Sequence, residues 1–128
     1  MSDSVKIKTI LVVDDSAVMR QMISTVLEAA GYRVLLADDG GTALEQVRKT
    51  AVDLVLTDWI MMPMDGGELT RQLRLLTDYS EVPILVLSTV SSDESKAEAK
   101  TAGANGWIAK PIKPATLLGV VGSLINRV

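Results

Sequence analysis

Five short runs of aliphatic residues recur along the 128-residue chain, and longer stretches with helical spacing separate them. The middle runs are almost continuous valine, isoleucine and leucine, which is typical of strands covered on both faces of a parallel sheet. Strands that alternate with helices predict a doubly wound α/β domain, for which 2-1-3-4-5 is a common strand order. The predicted strands are residues 10–13, 33–37, 53–58, 83–88 and 106–110.

The stretches between these strands carry helix signals. Val18, Met22 and Val26 are spaced at i, i+4 and i+8, and Gly31 can end that first helix. The fourth stretch, residues 92–104, differs because its only apolar side chains are alanines. We expect this fourth helix to bury little surface, to dock weakly and to be able to move.

The composition excludes several kinds of chemistry. The chain has no cysteine and no histidine, so a disulfide framework, thiol catalysis and a Ser-His-Asp triad are excluded. A formal net charge of −3 argues against a nucleic-acid partner, which needs a clustered basic surface. Since no apolar run approaches the roughly 18 residues of a membrane span, we expect a cytoplasmic protein without a membrane partner.

Polar and charged side chains stand where four of the predicted strands end. In a doubly wound sheet these ends meet at one edge, and ligands bind there at the switch point between strands 1 and 3. We therefore expect three carboxylates, two hydroxyls and one ammonium to converge. They are the side chains of Asp14, Asp15, Asp58, Ser88, Thr89 and Lys110.

Three neighbouring carboxylates raise one another's pKa unless a cation relieves them, and no basic residue stands beside Asp14 and Asp15 in the sequence. Oxygen ligands without histidine or cysteine suit Mg²⁺, which leaves ligand positions for an incoming phosphate. Asp58 is a competent nucleophile toward phosphorus, and Lys110 and Ser88 can bind phosphoryl oxygens. Replacing Asp14 by alanine is expected to relieve the repulsion in the metal-free protein.

Motifs along nearly the whole chain resemble those of a response-regulator receiver domain, and most closely the single-domain CheY-like chemotaxis regulators. The motifs are "VVDDS" at strand 1, "LVLTDWIMMPMDGGEL" around strand 3, "PILVLST" at strand 4 and "AGANGWIAKPIKPATL" through strand 5. The resemblance implies a (βα)5 receiver fold over residues 9–128, after an N-terminal tail of residues 1–8. Because the sequence stops where the predicted fifth helix stops, we also expect no output domain.

The resemblance also implies roles for individual residues. Asp58 would be the phosphoacceptor. Mg²⁺ would be bound directly by Asp15, through water by Asp14, and by the backbone carbonyl of Ile60, as well as by Asp58. The phosphoryl group would be contacted by Lys110.

Further roles concern phosphoryl contact and switching. Ser88 and Thr89 would contact the phosphoryl group, Ser88 being also a switch residue, and Trp107 would be the aromatic switch. Lys110–Pro111 would be a cis peptide. Trp59, directly after the phosphoacceptor, should report electrostatic changes beside it.

The resemblance further implies a place in two-component signalling. A histidine kinase or a histidine phosphotransfer protein would donate the phosphoryl group to a monomeric chain. A downstream target protein would then recognise a changed face formed by helix 4, strand 5 and helix 5, in chemotaxis or motility. The chain would be a phosphoacceptor that assists its own phosphorylation and dephosphorylation, and not a conventional enzyme.

Two departures from the family pattern concern the site. The proline that usually lies four residues after the phosphoacceptor is replaced by Met62, and Pro63 follows. Ile60 and Val90 are apolar where polar side chains often orient the hydrolytic water. We therefore expect a phosphorylated state that lives longer than that of a fast-switching regulator.

Other interpretations fit parts of the pattern. Taken alone, Asp14, Asp15 and Ser16 are better explained as a helix cap than as a metal site, and only the conjunction with the other strand ends favours the metal. Asp38 and Asp39, before two glycines at strand 2, are interpreted as a turn and a cap.

Two other classes of function need features that this sequence lacks. A phosphohydrolase on a similar sheet would use Asp58 or Asp14 as a transient nucleophile. Such an enzyme needs an acid/base residue and a substrate pocket or cap insertion, and the short predicted connections contain no insertion. A flavin binder would need a phosphate-cradling loop after strand 1, where "VVDDSAVM" offers negative charge and no glycine.

Overall fold

The computed structural model of the chain describes residues 6–126 and contains one sheet of five parallel strands. Their bounds are β1 (Thr9–Val13), β2 (Arg33–Ala37), β3 (Leu54–Asp58), β4 (Ile84–Ser88) and β5 (Gly106–Ala109). They pair in the order β2-β1-β3-β4-β5, which confirms the predicted doubly wound topology. Residues 1–5 of the predicted tail and residues 127–128 of the predicted domain lie outside the described residues.

Five α-helices connect and follow the strands, and a single 3₁₀ turn lies at Thr77–Tyr79. Four of the helices begin at a side chain that accepts a backbone N–H bond, namely Ser16, Asp39, Asp65 and Ser92. The predicted cap at Asp39 is thereby confirmed. The helices are α1 (Ala17–Ala29), α2 (Gly40–Lys49), α3 (Gly66–Leu75), α4 (Asp93–Ala102) and α5 (Pro114–Ile125).

Successive side chains of each strand point to opposite faces of the sheet, and both faces are covered. Ile10 and Val12 pack with residues of α1 and α5, whereas Leu11 and Val13 pack with residues of α2 and α3. Burial on both faces explains why the strand sequences are continuously apolar. Among residues 6–126, no helix combines the length and apolarity needed to cross a membrane.

β1 ends at Val13, as predicted, so Asp14 and Asp15 lie one and two residues beyond it. β5 stops at Ala109, one residue before its predicted end, so Lys110 lies just outside it. The Lys110 N–H nevertheless donates to the Ser88 carbonyl at 2.8 Å. The ends of β4 and β5 therefore stay joined at the edge where the polar side chains meet.

The fourth helix is held differently at its two ends. Only Ala99 and Ala102 of α4 are buried, and because one buried methylene contributes about 0.8 kcal/mol, its apolar docking is weak, as predicted. The Arg74 guanidinium, however, donates to the Gly103 carbonyl at 3.0 and 2.7 Å and so anchors the C-terminal end of α4. Weak docking is thus a property of its N-terminal end, which lies at the same edge of the sheet as the carboxylates.

Candidate functional site

Three carboxylates meet beyond the ends of β1 and β3. Asp14, Asp15 and Asp58 each contribute one carboxylate oxygen to a set in which all the oxygens lie within 4.8 Å of one another. Asp14 is 1% exposed and Asp58 is 8% exposed, whereas Asp15 faces solvent. In the parallel pairing of β1 with β3, the last partners are Val13 and Thr57. The residues that follow them, Asp14 and Asp58, therefore lie side by side at the edge of the sheet. Their roles as ligands and phosphoacceptor remain predictions.

Every polar group of Asp14 has a partner in the protein. Its N–H donates to the Ala37 carbonyl at 3.1 Å, and its own carbonyl accepts a 2.6 Å bond from the Arg20 guanidinium. One carboxylate oxygen accepts from the Ser16 N–H at 2.8 Å, and the other accepts from Lys110 at 3.1 Å. Asp14 is therefore fixed in place, and the cap of α1 itself is Ser16, not either aspartate.

Lys110 brings a positive charge into the carboxylate cluster from the far end of the chain. Its Nζ lies 3.1 Å from the Asp14 carboxylate and 3.5 Å from the Asp58 carboxylate. The relief that the local sequence lacks is thus partly supplied by a residue 96 positions away. When all four groups are ionised, three negative charges and one positive charge leave two uncompensated negative charges, which a divalent cation would balance.

The electrostatics of Asp58 follow from its burial. Desolvation raises the pKa of Asp58 above its ordinary value, the Lys110 ammonium opposes that rise, and the Asp14 carboxylate adds to it. The sequence predicted mutual repulsion as the cause of a raised pKa. Burial is the larger cause, because Asp58 is almost fully buried and water therefore solvates its charge poorly.

The segment after β3 passes very close to the start of α3. A Cβ atom on Gly66 would overlap the Asp58 carbonyl oxygen, and the Gly66 N–H donates to the Trp59 carbonyl at 2.9 Å. The preceding residue, Asp65, is the N-cap of α3. Glycine at position 66 therefore permits the tight path that holds the Asp58–Trp59 peptide against the helix.

The three loop methionines have different surroundings. Met61 is buried with the α2–α3 side of the core, Met64 packs against that side and Met62 is 79% exposed. The side chain of Ile60 is 56% exposed, and its predicted role as a carbonyl ligand remains a prediction. Lys110–Pro111 is cis, as predicted, and Met62–Pro63 is also cis.

The end of β4 connects to β5 through the backbone of one residue, Val90. The Ser88 hydroxyl is buried and accepts a 3.1 Å bond from the Val90 N–H, while the indole N–H of Trp107 donates to the Val90 carbonyl at 3.1 Å. Thr89, by contrast, is exposed, and its side chain makes no hydrogen bond within the described part of the chain. The sequence therefore predicted switch roles for Ser88 and Trp107 but not the Val90 backbone that links them.

Two further features escaped the sequence reasoning. The Arg20 bond to the Asp14 carbonyl had only one signal in the sequence, which is a basic residue at the start of α1, six positions after Asp14. Trp59 and Trp107 pack with ring centroids 5.4 Å apart. Trp59 directly follows β3 and Trp107 belongs to β5, and these two strands flank β4. Their long side chains can therefore meet across the end of β4.

Comparisons with known proteins agree with this arrangement. The family model "response regulator receiver domain" matches residues 10–122. The chemotaxis protein CheY-3 of Vibrio cholerae is 36% identical over 119 residues, which are 92% of each chain.

Two solved structures are similar over almost their full length. The chemotaxis protein CheY4 of Vibrio cholerae is 40% identical with a TM-score of 0.91, and the match covers 93% of this chain and 99% of that one. The receiver domain of the sensor histidine kinase PA1611 from Pseudomonas aeruginosa is 30% identical with a TM-score of 0.88, over 95% and 100% of the two chains. That structure has a magnesium ion coordinated in its active-site cleft.

Proposed function

The chain belongs to the response-regulator receiver family as a CheY-like receiver domain of two-component signalling, and we propose that it accepts a phosphoryl group on Asp58. The donor is a histidine kinase or a histidine phosphotransfer protein. The single observation that carries the proposal is the contact of Lys110 with both Asp14 and Asp58 inside a three-carboxylate cluster. The relatives named for chemotaxis support a role in chemotaxis or motility.

The donor set fits Mg²⁺. Three carboxylate oxygens within 4.8 Å of one another are hard ligands, and they carry more negative charge than Lys110 offsets. Asp15, Asp58 and the Ile60 carbonyl would hold the ion, with Asp14 acting through water. When bound, the ion supplies positive charge that holds the phosphoryl oxygens and neutralises the carboxylates.

The chemistry at Asp58 is a single displacement. An Asp58 carboxylate oxygen forms a bond to phosphorus as the phosphorus–nitrogen bond of the donor's phosphohistidine breaks, and the electron pair returns to the imidazole nitrogen. Lys110 lies 3.5 Å from the reacting carboxylate. Its ammonium can therefore pair with a phosphoryl oxygen once the Asp58 charge has moved onto the new group.

The signal starts at Ser88. Its hydroxyl accepts from the Val90 N–H and still has a proton to donate to a phosphoryl oxygen. A shift of Ser88 toward the phosphoryl group displaces the backbone of Val90, whose carbonyl accepts the bond from the Trp107 indole. The weakly docked N-terminal end of α4 then settles differently, and a downstream target recognises the altered face of α4, β5 and α5 as a population shift between two states.

The proposal is tested by phosphorylation of the purified chain. With Mg²⁺ and either acetyl phosphate or a phosphorylated histidine donor, intact mass should rise by one phosphoryl group, and hydroxylamine should remove it. Asp58→Asn should gain none. Failure of the wild-type chain to gain a hydroxylamine-labile phosphate contradicts the proposal, and repeated turnover of a phosphate monoester would identify the phosphohydrolase instead.

A further inference from the structure

Arg20 reaches from α1 back to the strand end that carries the acidic pair. It lies in the first turns of α1 and is half-buried, and its Nη1 donates to the Asp14 carbonyl at 2.6 Å. A charged donor makes this the stronger kind of hydrogen bond. The carbonyl it holds belongs to the peptide that joins Asp14 to Asp15, so the guanidinium fixes the plane of that peptide.

Asp15 depends on that peptide for its direction. Its carboxylate is exposed and accepts no hydrogen bond from within residues 6–126. Asp14, in contrast, is held at all four polar groups by Ala37, Ser16, Lys110 and Arg20. Three of those bonds hold the amide and the carboxylate of Asp14, and only the Arg20 bond fixes the carbonyl from which the Asp15 backbone continues.

We propose that Arg20 is a positioning residue for the divalent-cation site: by holding the Asp14 carbonyl it directs the Asp15 carboxylate toward Asp58. The inference rests on the proposed function, since it concerns the same Mg²⁺ site. It assigns to Arg20 no contact with the ion or with the phosphoryl group. Residues that orient metal ligands typically change metal affinity by about 10- to 100-fold when they are replaced.

The charge of Arg20 and its positioning action have opposite effects on Mg²⁺ binding. A guanidinium close to the pocket repels a cation, so an electrostatic role alone predicts that neutralising Arg20 tightens Mg²⁺ binding. Loss of the hydrogen bond to the Asp14 carbonyl frees Asp15 and weakens binding. The sign of the change in Mg²⁺ affinity therefore distinguishes an electrostatic role of Arg20 from a positioning role.

The experiment measures the Mg²⁺ dissociation constant by calorimetry for the wild type and for Arg20→Met, Arg20→Lys and Arg48→Met. Arg48 is exposed in the last turn of α2, far from the strand ends that carry the site, and its replacement matches the charge change. Arg20→Met should bind Mg²⁺ at least tenfold more weakly. Arg20→Lys, which keeps the charge and one donor for the carbonyl, should recover most of the affinity, and Arg48→Met should match the wild type.

Phosphorylation by acetyl phosphate gives a second readout. At saturating Mg²⁺ the Arg20→Met rate should equal the wild-type rate, because Asp58 and Lys110 are unchanged, while the Mg²⁺ concentration for half-maximal rate rises by the same factor as the dissociation constant. A merely structural defect would lower the saturating rate. Should Arg20→Met fail to fold, Arg20→Gln, too short to reach the carbonyl, carries the same expectation.

Two results would overturn the inference, and one of them separates it from the proposed function. Unchanged or tighter Mg²⁺ binding by Arg20→Met, together with normal phosphorylation of the wild type, means that Arg20 does not position Asp15 while the proposed function stands. A lowered saturating rate with an unchanged Mg²⁺ requirement has the same meaning. If the wild type itself binds no Mg²⁺, the proposed function fails first.

Discussion

Trp59 and Trp107 pack against each other with ring centroids 5.4 Å apart and ring planes inclined at 55°. Trp59 follows the proposed phosphoacceptor directly, and Trp107 donates its indole N–H to the Val90 carbonyl. The ring of Trp59 also lies against the start of α3, where a Cβ on Gly67 would come within 3.0 Å of it. The aromatic residue beside Asp58 and the proposed switch residue therefore share one contact.

The two tryptophans should report different steps. We expect Mg²⁺ to change Trp59 emission, because the ion adds charge beside it, so Trp107→Phe should keep most of the Mg²⁺ response. Phosphorylation should change the surroundings of Trp107, so Trp59→Phe should lose the Mg²⁺ response and keep a phosphorylation response. Fluorescence titration with Mg²⁺ and then acetyl phosphate measures both. A full Mg²⁺ response in Trp59→Phe would contradict this assignment.

The two adjacent aspartates should differ in stability effects. Asp14→Ala removes a buried carboxylate bonded to Ser16 and paired with Lys110, and we expect it to lower the free energy of unfolding by about 3 kcal/mol. Urea unfolding without Mg²⁺ measures the change. Asp15→Ala is the matched control, since that exposed carboxylate has no partner among residues 6–126, and it should change stability by about 0.5 kcal/mol or less.

That expectation reverses the one drawn from the sequence, where removing Asp14 was expected to relieve repulsion. The partners that reverse it are Lys110 and the Ser16 N–H. An unfolding free energy that rises in Asp14→Ala would show that repulsion outweighs these bonds.

The sequence predicted the parts of the fold that depend on local periodicity. Strand order, helix positions and the convergence of strand ends follow from apolar spacing and from the geometry of parallel sheets. The sequence also placed Lys110 among the carboxylates, but the specific pairs that distant groups form leave no such pattern. The Lys110–Asp14 pair spans 96 positions, and the Arg74 anchor of Gly103 spans 29. Neither the partner nor the direction of a long basic side chain can be inferred from residues near it.

The pH dependence of stability should identify Asp58. Burial raises the pKa of Asp58 in the folded protein above its ordinary value of 3.8, so its ionised form lowers the free energy of unfolding at neutral pH. That loss is regained as the pH falls through the raised pKa. Without Mg²⁺, Asp58→Asn should therefore be more stable than the wild type at neutral pH, with the advantage shrinking toward pH 3.8.

Thermal unfolding across this pH range measures the effect. Asp38→Asn, at an exposed position outside the cluster, should not show it.

Mg²⁺ at about 100 times its dissociation constant should stabilise the wild type by about 2.7 kcal/mol by mass action. It should stabilise Asp58→Asn by much less, and an equal stabilisation of both would contradict the metal assignment.

The phosphorylated state should be long-lived because apolar side chains flank the phosphoacceptor. Ile60 is 56% exposed beside Asp58, and Val90 is half-buried beyond β4. Because neither side chain has a hydrogen-bonding group, neither can orient a hydrolytic water. Ile60→Asn combined with Val90→Gln should accelerate hydrolysis of the acyl phosphate by about tenfold, a small part of the ~10²–10⁴ available to general acid–base catalysis. Loss of phosphate from the Mg²⁺-bound protein after removal of acetyl phosphate measures the rate. Met62→Asn, an equally polar change at an exposed position of the same loop, should leave it unchanged, and a wild-type half-life of only seconds would contradict the prediction.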